Sequence, residues 1–384
     1  MTPTVVVVGG GIFGATTAWS LAREGVDVLL LEARRFGEQS TGASGALVRC
    51  HYSNREVVRM AVRSRETYRR LPLLLDCEPV YERTGWLFLV EEEELERAVA
   101  NAAMQDEEGL DVLEVDDVAA YLPGVDPAGI AYALYEPDSG YAHPTAATRA
   151  YVEAFRREGG DAREGARVDA IEVEGGRAVG VRVAGELVRC GIVVLAAGPW
   201  SGTLARTAGV ELPLELTREQ DVVYATGPEP TVPCAVSSQV DRVYFRPDGA
   251  GRLLAGRGYP KDYERADPDA FDPNVDETFA RDVHARVTRR LPRLAGMRAV
   301  GGRVGLYDVT PDWHPILGPV GEPENLVVAA GGSGHCFKLA PAIGELVAAQ
   351  IVGRAVEYAD PASFALDRFA AGRTFAQTYG GNRA

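Results

Sequence analysis

The sequence predicts an α/β fold, α+β overall, in which a discontinuous Rossmann-like domain carries an inserted, mostly antiparallel β-sheet domain. Three observations predict it. A strand, a glycine turn, a helix, a second strand and an acid follow one another within the first 32 residues. A second strand–glycine–helix unit begins near residue 325. Between the two lie long β-like segments, among them Asp221–Ala225, Val240–Arg246 and Arg252–Ala255.

Val5–Val8 is a β-branched run of the kind buried on both faces of a parallel sheet. The turn Gly9-Gly10-Gly11-Ile12-Phe13-Gly14 follows, and Ala15 to Arg23 reads as a helix closed by Gly25. Val28–Leu31 is a second buried strand, ending in Glu32. Each glycine has a task in such a unit. Gly9 permits the tight turn, Gly11 lets the backbone approach a pyrophosphate, and Gly14 lets helix and strand pack closely. The helix N-terminus presents unpaired N–H groups and positive dipole to the phosphates. Glu32, 18 residues after Gly14, stands where a carboxylate can accept hydrogen bonds from an adenosine ribose. That acid disfavours a 2′-phosphate, and so NADP; FAD and NAD both remain open at this point. The loop Ser40-Thr41-Gly42-Ala43-Ser44 can supply further donors around a diphosphate or simply cap a helix.

Further along, helices are expected at 56–75, 91–105, 116–122 and 144–158, and a strand at 85–90. Residues 168–173 and 179–183 read as a hairpin around Gly175-Gly176, and Cys190 to Ala197 as a buried strand. This last strand ends in Gly198-Pro199-Trp200, where Gly198 permits close approach of a dinucleotide. A helix is expected at 276–291, strands at 300–304 and 325–330, and a last helix at about 339–352. Gly331-Gly332-Ser333-Gly334-His335 opens that last helix and aims its positive end at an electron-rich group.

Composition narrows the function classes. The chain has 384 residues and a formal net charge of −15, which makes nucleic acid an unlikely partner. The five cysteines, Cys50, Cys77, Cys190, Cys234 and Cys336, show no metal-ligand spacing and suit free thiols in a reducing compartment. With no membrane span and no signal peptide in view, a cytoplasmic location is expected. Of 40 basic residues only Lys261 and Lys338 are lysines, so a lysine inside a motif stands out.

These segments together resemble the D-amino-acid-oxidase-type flavoproteins, and most closely the branch of sarcosine oxidase, dimethylglycine dehydrogenase and glycine oxidase. The motifs that carry the resemblance are Gly9–Gly14 with Glu32, Ser40–Ser44, Ala196–Trp200, Tyr307–Pro315, and Gly331–Lys338 followed by Leu339-Ala340-Pro341. The resemblance implies FAD, with residues 1–80, 139–213 and 304–384 forming the cofactor domain and 81–138 and 214–303 the substrate domain. It implies a cofactor site of Gly9, Gly11, Ile12, Phe13, Gly14, Glu32, Ala33, Arg34, Ser40, Thr41, Ala43, Ser44, Val168, Ala197, Gly198, Trp200, Gly332, Gly334, His335, Cys336, Phe337 and Lys338. It also implies oxidation of the C–N bond of a small amino acid, secondary or N-methyl, whose carboxylate sits on Arg49 and Lys338. A carboxylate in a dry pocket needs a fixed cation, and an arginine can grip it bidentately. In the expected cycle a hydride leaves for flavin N5, assisted by the neutral amine, and the resulting imine hydrolyses. His335, which would titrate near neutrality, could tune the pocket's charge; a packed, hydrogen-bonded histidine fits equally. His51 and His314 are weaker candidates.

The sequence departs from that branch in three places. Gly305 occupies the position of the cysteine that tethers flavin in monomeric sarcosine oxidase, so FAD is expected to be non-covalent. Cys336 replaces a glycine of the flavin-adjacent motif and could touch the ring. Leu254 occupies the place of the lysine that promotes reaction with O2, with Gly256-Arg257 beyond, which favours an acceptor such as a protein or quinone over O2. Two other readings stay open: a flavoprotein subunit or assembly factor of a larger hetero-oligomer, and an NAD-binding dehydrogenase.

Overall fold

The computed structural model describes residues 3–227, 232–259 and 261–376. The first strand, Val5–Val8, lies at the heart of a six-stranded sheet. It pairs in parallel with Val28–Leu31 on one side and Ile192–Leu195 on the other. Asp161–Arg163 extends the sheet beyond Val28–Leu31, and Leu326–Ala330 extends it beyond Ile192–Leu195, both in parallel. Ile316–Pro319 closes it as an antiparallel edge. All four residues of Val5–Val8 are buried, as expected for a strand covered on both faces.

One face of this sheet is covered by the helices Ile12–Arg23, Arg55–Leu75, Pro144–Arg157 and Ala340–Val352, which share a large apolar core with it. Asn54 caps the second of these by accepting from the N–H groups of Glu56 and Val57. The other face packs on the strands Val168–Glu174, Arg177–Val183 and Glu186–Arg189, which form a separate antiparallel sheet. The expected hairpin thus gains a third strand.

A nine-stranded sheet makes up the second layer of the molecule. Its long central pair is Glu215–Ala225 with Arg298–Val309, antiparallel along nearly their full lengths. Glu215–Ala225 also pairs with Arg252–Arg257, which leads through Val243–Pro247 and Ala235–Ser238 to Trp86–Val90 and Tyr132–Glu136. The pairing of Ala235–Ser238 with Trp86–Val90 is parallel, while its neighbours are antiparallel. The strand expected at 300–304 therefore runs much further, and the boundary expected at 304 falls inside it. Short strands such as Ala235–Ser238, inside the sheet, and Leu113–Glu114, at its edge, were not anticipated, because two to four residues carry too little alternation to read. The helix expected to start at Glu91 starts as a regular α-helix only at Leu95, after a 3-10 turn at Glu92–Glu94. No helix among the described residues is long and apolar enough to cross a membrane.

Candidate active site

A cavity of about 550 Å³ runs from the carboxyl ends of the parallel strands to the face of the nine-stranded sheet. Its first end is built by the chain's opening unit. Gly9 has φ +106°, and a Cβ there would meet the Ala196 carbonyl carbon at 2.7 Å. A Cβ at Gly14 would overlap the Gly9 carbonyl oxygen, so Gly14 sets the close packing of helix on turn. Thr41 Oγ1 accepts from Ile12 N at 3.1 Å and ties the Ser40–Ser44 loop to the helix start. The Glu32 carboxylate accepts from Gly10 N and from Arg34 N, both at 2.7 Å. Burial pushes the Glu32 carboxyl up, against those two backbone hydrogen bonds. Each of its oxygens still has a lone pair for a ribose hydroxyl.

Of the sequence-derived cofactor positions, Gly9, Gly11, Ile12, Phe13, Glu32, Ala33, Arg34, Ser40, Thr41, Ala43, Ser44, Val168, Ala197, Gly198, Trp200, Gly332, Gly334, His335, Cys336, Phe337 and Lys338 all line this one cavity, and so does Arg49. Gly14 stands behind the wall in its packing role. Gly305 also lines the cavity, and a Cβ there would come 2.7 Å from the Cβ of Ala43.

The far end depends on side chains. Asp308 organises the second glycine turn, accepting from Gly331 N at 2.7 Å and Gly332 N at 3.1 Å. Burial raises its carboxyl to about 6, although backbone hydrogen bonds oppose the shift. Lys338 lies just beyond that turn and is buried, 6% exposed, rather than on the surface of the last helix. Its ammonium donates to the His335 carbonyl at 3.0 Å and to the Tyr52 hydroxyl at 3.4 Å. Burial, and next the Arg49 guanidinium, hold the Lys338 pKa well below the usual lysine range. The Arg49 guanidinium lies over the rings of Tyr52, at 5.1 Å, and Trp86, at 5.3 Å, and donates to the His51 carbonyl. Two basic groups, half-buried Arg49 and buried Lys338, thus share a corner walled by aromatic rings, an arrangement in which an anion would favour the charged form of both.

The histidines of this end are not positioned to titrate near neutrality. His335 Nε2 sits 2.6 Å from the Trp313 carbonyl oxygen and therefore carries the proton. Its Nδ1 then accepts from Tyr52 Oη at 2.9 Å. Burial and Lys338 push the His335 pKa far down, so the ring is a neutral, packed hydrogen-bonding residue, and the suggested tuning of charge by its own titration does not hold. His51, between Trp86 and Phe88 and bonded to Gln105 at 3.1 Å, is pushed down to about 3 by burial. His314 is lowered as well and donates from Nδ1 to the Asp312 carbonyl at 2.7 Å. Cys336 lines the cavity with a buried thiol whose pKa burial raises strongly, so it is not a nucleophilic thiolate.

Several residues of this wall were not singled out in the sequence, Trp86, Phe88, Glu219, Asp221, Tyr244 and Lys261, nor was Tyr52, which contacts Arg49 and Lys338. One signal was available for Lys261, since both lysines of the chain line the same cavity.

A parallel sheet with a glycine turn at its first helix, an acid on the next strand and a long cavity continuing onto a second sheet defines a dinucleotide-dependent oxidoreductase. The residues fit FAD: the glycine turn packs so closely on Ala196 and on itself that no Cβ fits at Gly9 or Gly14, and the cavity extends well past the nucleotide end. The family model "FAD dependent oxidoreductase" (DAO) matches residues 4–350, and the chain belongs to that family. The chain is 30% identical over 360 residues to 4-methylaminobutanoate oxidase (formaldehyde-forming) of Paenarthrobacter nicotinovorans, covering 90% of this chain and 43% of that protein. The chain thus spans less than half the length of that relative. It is 29% identical to glycine oxidase of Pseudomonas putida, over 95% of this chain and 98% of that one. Among solved structures, L-proline dehydrogenase from P. horikoshii superposes with a TM-score of 0.89 at 28% identity, over 97% of this chain and 98% of that one. The protein is therefore an FAD-dependent flavoprotein oxidoreductase.

Proposed function

We propose that this enzyme oxidises the C–N bond of a small secondary or N-methyl amino acid, with FAD bound non-covalently. The observation that carries the reading is the pair of basic side chains, half-buried Arg49 and buried Lys338, at the end of the cavity remote from the nucleotide turn. Arg49 holds one carboxylate oxygen of the substrate and Lys338 the other, and Tyr52 and the His335 carbonyl keep the Lys338 ammonium in place. Trp86, Phe88 and Tyr52 exclude water from that corner and pack on the apolar part of the substrate. The names of the relatives support the same class: an N-methylamino acid, glycine and proline are all amino acids with a carboxylate and an oxidisable amine. FAD supplies the two-electron acceptor, taking a hydride and leaving an imine that water hydrolyses. The absence of a side chain at Gly305 supports the non-covalent assignment.

The test is anaerobic mixing of the yellow holoprotein with sarcosine, proline, glycine and 4-methylaminobutanoate, each against its amine-free analogue. Bleaching of the flavin band by at least one amine is expected. Bleaching by none of a broad panel of N-methyl and cyclic amino acids would overturn the substrate class while leaving FAD binding intact.

A further inference from the structure

The wall of the cavity formed by the nine-stranded sheet carries a group that the substrate reading does not use. Asp221 is 4% exposed and lies on the strand Glu215–Ala225, in register with Gly256 and Arg303. Its Oδ1 accepts from the Tyr244 hydroxyl. Its Oδ2 points to the Ser44–Gly45 turn, 3.1 Å from where a Cβ of Gly45 would stand. Both Asp221 and Tyr244 line the cavity. Gly256, whose Cβ would overlap both the carboxylate and the phenol, leaves the space they fill.

The charges around this carboxylate form a closed set. On the strand of Tyr244, Arg246 donates to the Gly45 carbonyl at 2.7 Å and pairs with Asp248 at 3.0 Å. On the strand Arg298–Val309, Arg303 donates to the Ser44 carbonyl at 3.1 Å and reaches the same Asp248 at 3.4 Å. Arg252, half exposed, lies 4.0 Å from the outer side of Asp248. After the strand Arg252–Arg257, Lys261 pairs with Glu219, which shares the strand of Asp221. The phenols of Tyr244 and Tyr141, both raised by burial, complete the surroundings and are neutral. Arg246, Arg303, Lys261 and the half-exposed Arg252 thus stand against Asp248, Glu219 and Asp221. Loss of the Asp221 charge makes this wall one charge more positive; Asp248 and Glu219 each pair with a cation, whereas Asp221 accepts from the neutral Tyr244 hydroxyl.

We propose that Asp221, oriented by Tyr244, sets the charge of the wall facing the flavin, lowers the cofactor's affinity for electrons, and disfavours O2 against a quinone-class acceptor. The inference rests on FAD filling this cavity and does not depend on which amine is oxidised. Substrate oxidation leaves two electrons and one proton on the cofactor as a hydride. Regeneration hands those two electrons and that proton to the acceptor, with a second proton taken from solvent: O2 becomes hydrogen peroxide, a quinone becomes its hydroquinone. With O2 the first electron creates a small, concentrated anion, which a buried carboxylate opposes and a net cationic wall would favour. A quinone spreads the same charge over a large ring and is opposed less. Leu254, in register with Val223 and with its side chain near the same Gly45 turn, adds hydrocarbon and no charge.

Burial raises the Asp221 carboxyl to about 6, opposed by the Tyr244 hydrogen bond and by Arg246, Arg303 and Lys261. The wall is therefore one charge more positive at pH 5 than at pH 8.

The experiment photoreduces the holoprotein, without substrate, and measures two quantities at pH 5 and pH 8: the flavin midpoint potential, and the rates of reoxidation by O2 and by a soluble benzoquinone. Asp221→Asn is expected to raise the potential at pH 8 and to speed reoxidation by O2 on the order of tenfold, with a smaller change for the quinone. At pH 5, where Asp221 is protonated, wild type and variant should converge. Tyr244→Phe, which keeps the carboxylate and removes its donor, should move the wild-type pH step upward. A flavin-loaded Asp221→Asn protein with wild-type potential and O2 rate at pH 8 would overturn the proposal, and so would an equal offset at both pH values. Because light replaces the substrate, these outcomes are separate from any failure of the amine panel.

Discussion

The two ends of the cavity are made in different ways. The nucleotide end is organised by backbone groups: the turn Gly9–Gly14, the Ile12 N–H bonded to the Thr41 hydroxyl, and the Gly10 and Arg34 N–H groups that pin the Glu32 carboxylate. Its parts lie within about forty residues of one another, and their geometry is fixed by glycine and by a helix end. The substrate end is made of side chains brought from Arg49, Trp86, Tyr244, Lys261, Tyr307 and Lys338. Each owes its place to a different element, and together they bury charge at a cost that only a ligand of opposite sign offsets. The first end selects a cofactor shared by many enzymes, while the second selects what this enzyme does with it.

The difference predicts unlike responses to substitution. The largest effect is expected at the backbone end. Gly14→Ala places a methyl group on the Gly9 carbonyl oxygen, and the variant should be colourless after purification, with loss of flavin read from its absorbance. Normal flavin content in that variant would break the claim that this end tolerates no side chain.

Next comes Lys338→Met, which keeps the length of the side chain and removes its charge. The flavin should stay bound, and the KM for a carboxylate substrate should rise on the order of 10- to 100-fold, as for loss of a charge-assisted hydrogen bond. Unchanged KM would remove Lys338 from the clamp.

A pH effect sharpens the same point. The folded protein without ligand holds the Lys338 pKa well below the lysine range, so its neutral form gains as pH rises. A carboxylate ligand binds the protonated form, so its Kd should climb with pH, approaching tenfold per unit once Lys338 has lost its proton. Isothermal titration in two buffers should show proton uptake on binding. The smallest effect is expected for Cys336→Ala: the thiol is buried and protonated, and turnover should change less than about threefold.

The sequence told the two ends apart for a physical reason. Gly9, Gly14 and Glu32 are legible because a turn and the acid on the next strand are local features, set by neighbours in the chain. Arg49 and Lys338 became visible through the likeness to known flavoproteins, helped by the scarcity of lysine. Asp221 and Tyr244 were not visible, because their meeting depends on the register of Asp221 with Gly256 and of Tyr244 with that same glycine. Register is decided by long-range packing, and a slip of one residue would turn Asp221 to the other face. His335 illustrates the opposite error: a histidine in a flavin motif suggests titration, yet its two nitrogens are already committed to Tyr52 and the Trp313 carbonyl.

The most direct test of the account is an equilibrium titration of the oxidised holoprotein with an amine-free carboxylate, tetrahydrofuran-2-carboxylate, read from the flavin absorbance. The account predicts saturable spectral change in the wild type, weakened at least tenfold in both Arg49→Met and Lys338→Met with flavin content unchanged. Equal affinity in all three proteins would contradict it.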